Sequence, residues 1–223
     1  MLAGEADTTQ RAFGEFRLPP GRHGIAPQEV AENQRWRLLG AATEVLAEQG
    51  HLNTTSTRVS KRAGVSPATF YEHFDNISDC LLAAYEAASG CVREICAEAC
   101  AQEEIGWRER LGVAVASTLR FLAVEPATAH LLGSEAPAGE PAVAAARRAS
   151  VEHLAELLSA GRAGRTAKAP KLPAATERLL VAGAFAICAE WVAAGDVERL
   201  PELAPALTEM LAAPTGADAP HPS

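Results

Sequence analysis

Between Pro27 and Gln49 apolar residues recur at helical spacing. Leu38, Leu39, Ala42, Val45 and Leu46 fall on one face, Pro27 suits the first turn, and Gly50 ends the pattern. The next stretch, TSTRVSKRAGVSPATFYEHF at 55–74, has a shorter rhythm. Val59 and Ala63 turn inward on a short helix that Thr55 or Ser56 caps. Gly64 supplies a left-handed turn position, and Val65 plugs the corner. Ser66 caps a second short helix, with Pro67 at its first position, where a missing N–H costs nothing. Phe70 and Phe74, four apart, share the inward face of that helix, which rotates Tyr71 and His73 away from the core. Helix, glycine turn, helix is the helix-turn-helix layout, whose second helix lies in the DNA major groove. Pro67, Ala68 and Thr69 then face base edges, and Tyr71 and His73 reach the flanking phosphates.

The remaining periodicity is also helical. A long helix is predicted from Asp79 to about Ala101, with Leu81, Leu82, Tyr85 and Ile95 facing inward. Others follow at about 107–124, 126–133, 139–162, 173–195 and 199–212. Glu125-Pro126, a Pro/Gly/Ala loop and the basic stretch GRAGRTAKAPKLP separate them. Arg162, Arg165, Lys168 and Lys171 of that stretch read as an exposed loop. Residues 1–26 read as a flexible polar arm, in which Arg17, Arg22 and His23 could follow a phosphate backbone or minor groove, with a solvated tail the competing reading. Residues 214–223 read as a disordered tail. The expected fold is all-α: a three-helix helix-turn-helix DNA-binding domain at 27–75, then a helical bundle at 76–213 for ligand binding and dimerisation.

Composition sharpens this picture in three places. Alanine is abundant and β-branched residues are sparse, which favours helix over sheet. The net charge of −8 is unusual for a nucleic-acid binder, but it is unevenly spread. Residues 10–74 hold eight Arg or Lys against six acids, so a slightly basic head precedes an acidic body. The five cysteines (Cys80, Cys91, Cys96, Cys100, Cys188) fall in helical patterns without Cys-x-x-Cys spacing or histidine partners. They read as buried free thiols acting as small hydrophobes, not as ligands of a metal.

The 55–74 segment resembles the DNA-binding domain of the TetR family of bacterial transcriptional regulators. Thr55, Val59, Ser60, Ala63, Gly64, Val65, Ser66, Thr69, Phe70, Tyr71, His73 and Phe74 carry the resemblance. It implies phosphate contacts from Thr55 and Ser56 at the start of the first motif helix. It implies phosphate or base-edge contacts from Thr69, Tyr71 and His73. Thr57, Arg58, Ser66, Pro67, Ala68 and Asn76 complete the candidate DNA-binding set. Two positions depart from the family pattern: Ser60 replaces the usual alanine, and Ile77 stands where a lysine is common. The second removes an expected cationic phosphate contact, leaving the N-terminus of the next helix, capped by Asn76, to hold the backbone.

The resemblance further implies a homodimer formed by the last two long helices, reading a palindromic operator. Leu180, Ala184, Phe185, Ile187, Leu203, Leu207 and Leu211 are the candidate interface. An effector pocket would draw on Trp107, Phe121, His130, His153 and Trp191. The implied function is a ligand-responsive repressor, an activator or effector-independent regulator being the alternative and a protein-interaction module a remote one. Its partners would be operator DNA, a second copy and an unidentified small molecule. No catalytic motif, cofactor fingerprint, membrane span or secretory leader is recognisable, so the expectation is a cytoplasmic protein that is not an enzyme and needs no cofactor.

Overall fold

A computed structural model describes residues 27–133, 141–163 and 175–213. Every regular element among them is helical: α1 (Pro27–Gln49), α2 (Ser56–Ala63), α3 (Pro67–His73), α4 (Ile77–Cys100), α5 (Trp107–Val124), α6 (Pro126–Gly133), α7 (Pro141–Ala163), α8 (Thr176–Ala194) and α9 (Ala204–Ala212). Two short 3-10 segments, His51–Asn53 and Val197–Leu203, complete the set. The N-terminal arm with Arg17, Arg22 and His23, the basic residues Arg165, Lys168 and Lys171, and the C-terminal tail lie outside the described residues. The chain divides into two compact units. The first holds residues up to Ser89 together with Glu125–Ala146, and the second holds Gly90–Val124 and Arg147 onward.

The first unit is built around α1. Leu38, Leu39, Ala42, Val45 and Leu46 are all buried, as the periodicity predicts, and α1 packs on α2 and α6. Val59, Phe70, Phe74, Leu81 and Tyr85 close the core from α2, α3 and α4. Each large apolar side chain removed from water contributes about 1.5–3 kcal/mol. α6 joins this unit because Thr128, Ala129, Leu131 and Leu132 are buried in it. Outside the core, Arg62 bridges α2 to α1 by donating 2.8 Å hydrogen bonds to both Glu44 and Glu48. These groups are partly solvated, so the bridge orients the helices more than it stabilises them.

The second unit packs α5 against α9 and the segment before it. Ala155, Leu158, Val181 and Leu211 form its buried centre, with Trp107, Leu111, Val151, Leu180 and Phe185 packed around them. Trp107 lies so close to α7 that a Cβ on Gly161 would collide with the indole nitrogen. Only glycine allows that approach. The structure corrects the reading of Arg162 as an exposed loop residue. α7 extends to Ala163, and the Arg162 guanidinium donates to Leu211 O and, at 3.2 Å, to Ala213 O. It thereby satisfies carbonyls that the end of α9 leaves open. A second correction concerns 199–212, which is not one α-helix. Residues Val197–Leu203 are 3-10, and α9 begins only at Ala204. Pro205 has no N–H for the Pro201 carbonyl, and its ring would collide with that carbonyl in a continuous α-helix.

Among the described residues no single helix is long and apolar enough to cross a membrane. None of their His, Cys, Asp and Glu side chains group in threes as a metal site would. All five cysteines are free, but they are not all small core hydrophobes. Burial pushes the Cys80 thiol up to about 12 and those of Cys96 and Cys188 up to about 11. Cys100 is instead exposed at the last position of α4.

Candidate nucleic-acid interface

The α2–turn–α3 segment is fixed at each end by its own side chains. Thr55 is the N-cap of α2, its hydroxyl accepting from Arg58 N at 3.4 Å. Gly64 closes the helix at φ 64°, and its N–H bonds Lys61 O. Val65 N then bonds Ser60 O at 3.0 Å, so the chain turns with its backbone groups paired. Ser66 caps α3 by accepting from Thr69 N at 3.0 Å, with Pro67 in the first turn. The Thr69 hydroxyl lies 2.9 Å from the Ser66 hydroxyl. Ser60, in the place of the family's usual alanine, is buried and donates to Ser56 O at 2.7 Å. Back-bonding to a carbonyl four residues earlier makes the extra hydroxyl tolerable.

Arg37 is a residue that sequence reasoning missed. Reaching from α1, its guanidinium donates to Ala63 O and, at 3.2 Å, to Gly64 O. Both carbonyls belong to the turn that sets the angle between α2 and α3. The only signal in the sequence is an arginine on the partly polar flank of an amphipathic helix, which is usually a solvated charge.

Tyr71 projects outward, 58% exposed, and its hydroxyl lies 3.1 Å from that of Ser56. This contact joins the start of α2 to the outer face of α3, so two hydroxyl groups and the first N–H groups of α2 share one surface. Such a surface suits a phosphate oxygen. Thr57, Arg58, Pro67 and Ala68 are exposed beside it, and Thr69 is half-buried. Arg58 is also tied back, donating to Asn53 O at 2.7 Å. Asn76 caps α4 by accepting from Asp79 N at 2.9 Å, while its amide donates to Asp79 Oδ2. Its side chain is therefore committed, and the Asp79 carboxylate in the first turn disfavours an anion there.

His73 is less open than Tyr71. It stands one residue before Phe74, with the two ring centroids 6.4 Å apart, and is half-buried. Its Nε2 is shut away from solvent without a hydrogen-bond partner. Burial, and then the nearby Arg35 charge, lowers its pKa below the ordinary 6.5, with Glu72 pulling the other way. Its Nε2 is thus turned inward beside the core, and burial disfavours the charged form. Arg35 itself stacks over the Phe74 ring at 4.7 Å.

The other predicted residues differ in their burial. Of the pocket residues, Phe121 is fully buried, Trp107 and Trp191 are half-buried in the second unit, and His153 is exposed on α7. Trp191 is stacked on by Arg199 at 5.3 Å. His130 lies on α6, which belongs to the first unit. Of the interface residues, Leu180, Ala184, Phe185, Ile187 and Leu203 are half-buried. Leu207 and Leu211 are corrected: they face their own core at 4% and 8% exposure and have no free surface to offer a partner.

Comparison with known proteins agrees with the geometry of the head. Residues 38–84 match the model of the bacterial regulatory proteins of the tetR family. Over those residues the chain is similar to the DNA-binding domains of that family. The fatty acid metabolism regulator protein of Bacillus subtilis is 29% identical over 87 residues, which is 39% of this chain and 44% of that protein. The match thus spans less than half of the relative's length. Among solved structures, FadR of B. subtilis in complex with stearoyl-CoA superposes with a TM-score of 0.67 at 21% identity, covering 81% of this chain and 98% of that one. The fatty acid degradation regulator FadR of Bacillus halodurans gives 0.66 at 21% identity, covering 86% and 98%. At that identity the likeness establishes a shared all-α fold beyond the TetR domain.

Proposed function

We propose that this chain is a homodimeric, ligand-responsive repressor that binds a palindromic operator, a soluble regulator of the cytoplasm and not an enzyme. The observation that carries this reading is the joined surface of Ser56 and Tyr71 beside exposed Pro67 and Ala68 on a helix capped and clamped at both ends. The hydroxyl pair positions the head on the phosphate backbone, and the exposed start of α3 meets base edges. One helix of seven residues reads few base pairs, so useful specificity requires two copies on an inverted repeat.

α8 supports the dimer. From Leu179 to Ala189 it carries no charged residue, yet only Val181 and Val192 of the whole helix are buried, and Leu179 is 70% exposed. An apolar helix left this open within one chain is suited to packing on its mate. The half-buried apolar residues Leu111, Val115, Val151, Leu154 and Met210 flank the centre of the second unit, where an apolar effector would be received. The stearoyl-CoA held by the B. subtilis structure makes long-chain acyl-CoA the first class to try. Effector binding would favour a spacing of the two heads that no longer matches the operator, with α4 leading from each head into the second unit.

Selection from a random duplex pool with the full chain tests the reading. An enriched inverted repeat, released by stearoyl-CoA, is the expected result. A folded protein that enriches nothing at low salt would overturn DNA reading, and a repeat insensitive to acyl-CoA would overturn the effector class alone. Tyr71→Ala is expected to weaken operator binding about 5- to 30-fold by removing a backbone contact worth about 1–2 kcal/mol, with the melting temperature nearly unchanged.

A further inference from the structure

Resting on the operator-binding reading, we propose that Glu72 is a base-reading residue, and that each operator half-site carries a cytosine whose exocyclic amino group it accepts from. The placement follows from α3 itself. Successive residues on a helix are separated by 100°, so Glu72 lies about 160° around the axis from fully buried Phe70. Ala68 is four residues before Glu72 and shares its ridge, with exposed Tyr71 on one flank and Thr69 on the other. The ridge directly opposite the core is therefore Ala68–Glu72. Tyr71, paired with Ser56, marks the side of α3 that faces the phosphate backbone.

The charge of Glu72 makes the position informative. Arg62 is held by Glu44 and Glu48, Arg37 by the turn carbonyls, and Arg58 by Asn53 O. Among the described residues no hydrogen bond or ion pair reaches the Glu72 carboxylate, and burial of His73 beside it disfavours the cationic form that would offset its charge. An uncompensated carboxylate on a surface that approaches phosphates opposes binding to every sequence alike. It becomes favourable only where a base edge presents a donor. In the major groove a carboxylate accepts from the cytosine amino group, whereas the oxygen and ring-nitrogen acceptors of guanine repel it. α3 carries no Arg, Lys, Asn or Gln for the usual guanine and adenine pairings. Its remaining outward groups, Ala68, Pro67 and the Thr69 methyl, suit thymine methyl groups. The half-site read by α3 is thus a short pyrimidine stretch on one strand, with Glu72 selecting the cytosine.

The test compares motifs selected from one random duplex pool by the full-length wild type and by Glu72→Gln, with competition binding on the wild-type operator and single-base variants. The expected wild-type motif holds one invariant C·G pair per half-site, favoured roughly 5- to 150-fold over other pairs. Glu72→Gln should shift that column towards adenine, which the amide pairs with bidentately, and leave the other columns unchanged. An inverted repeat whose columns are identical in the two proteins would overturn the assignment while leaving operator binding intact. Uniform tightening of Glu72→Gln on all sequences, with no changed column, would also overturn it, because the carboxylate would then act only by repulsion. No enrichment by either protein would defeat both readings together.

Discussion

α3 and α8 show two ways in which a helix can be complete. α3 has seven residues, is capped by Ser66 and buries Phe70 fully; its outward face is short-chained or charged. Nothing apolar of consequence is left over beyond Tyr71, whose hydroxyl is already paired. α8 has nineteen residues and a long uncharged run, but it buries two side chains and leaves Leu179 in solvent. The first helix is finished within one chain and presents polar chemistry outward. The second leaves apolar surface exposed within one chain, which is what the proposed dimer would cover. Burial relative to composition, more than composition alone, separates a reading surface from an assembly surface.

The sharpest way to break this comparison is to make the same change in both places. Phe70→Ala should cost about 3–5 kcal/mol of stability, as for a fully enclosed phenylalanine. Phe185→Ala, at a half-buried site, should cost roughly 1–2 kcal/mol in the monomer and shift self-association instead. Urea titrations read beside sedimentation equilibrium check the pair; equal unfolding losses and unchanged association would erase the distinction. Leu179→Asp should fold with a stability change within about 0.5 kcal/mol, since the residue is exposed. In a dimer the same aspartate would be an unpaired charge costing about 3–5 kcal/mol, so the variant should sediment as a monomer and lose operator binding. A dimeric Leu179→Asp would move the interface elsewhere.

A smaller effect is expected at the turn. Gly64→Ala places a side chain at φ 64°, costing about 1–2 kcal/mol, and sets its Cβ 2.9 Å from the Arg37 guanidinium. Arg37 can swing aside whereas the backbone angle cannot change, so adding Arg37→Ala should not restore stability. Full recovery in thermal unfolding of the double variant would show that crowding, not the left-handed angle, selects glycine.

The smallest effect concerns His73. Its folded pKa lies below the unfolded 6.5, so the unfolded chain binds more protons. Stability contributed by the neutral ring is complete above 6.5 and declines as pH falls from 6.5 through the folded value. His73→Gln should flatten that part of the pH profile of unfolding. An unchanged profile would mean that the imidazole is not buried as described.

The head was largely legible in advance because its constraints are local. Caps, a glycine at positive φ and a four-residue aromatic spacing each act within a few residues, so Thr55, Gly64, Ser66, Phe70 and Phe74 occupy the roles their types suggest. What could not be read there depended on a second element crossing over. Arg37 clamps a turn some 26 residues away, and His73 is turned in beside Phe74 and Arg35. Glu72 was within reach of a helical wheel, since it lies opposite Phe70, but carboxylates are not expected on DNA-facing surfaces.

In the second unit the sequence determined that the chain would be helical and where most helices begin and end. It could not determine which face each helix buries, because alanine-rich helices offer several equivalent apolar stripes. Tertiary packing alone turned Leu207 and Leu211 inward, left His153 in solvent and drew Arg162 onto the carbonyls of α9. Local hydrogen bonds and steric limits are properties of neighbouring residues, and a sequence states them. Burial is decided by which surfaces meet, and only the folded chain determines that.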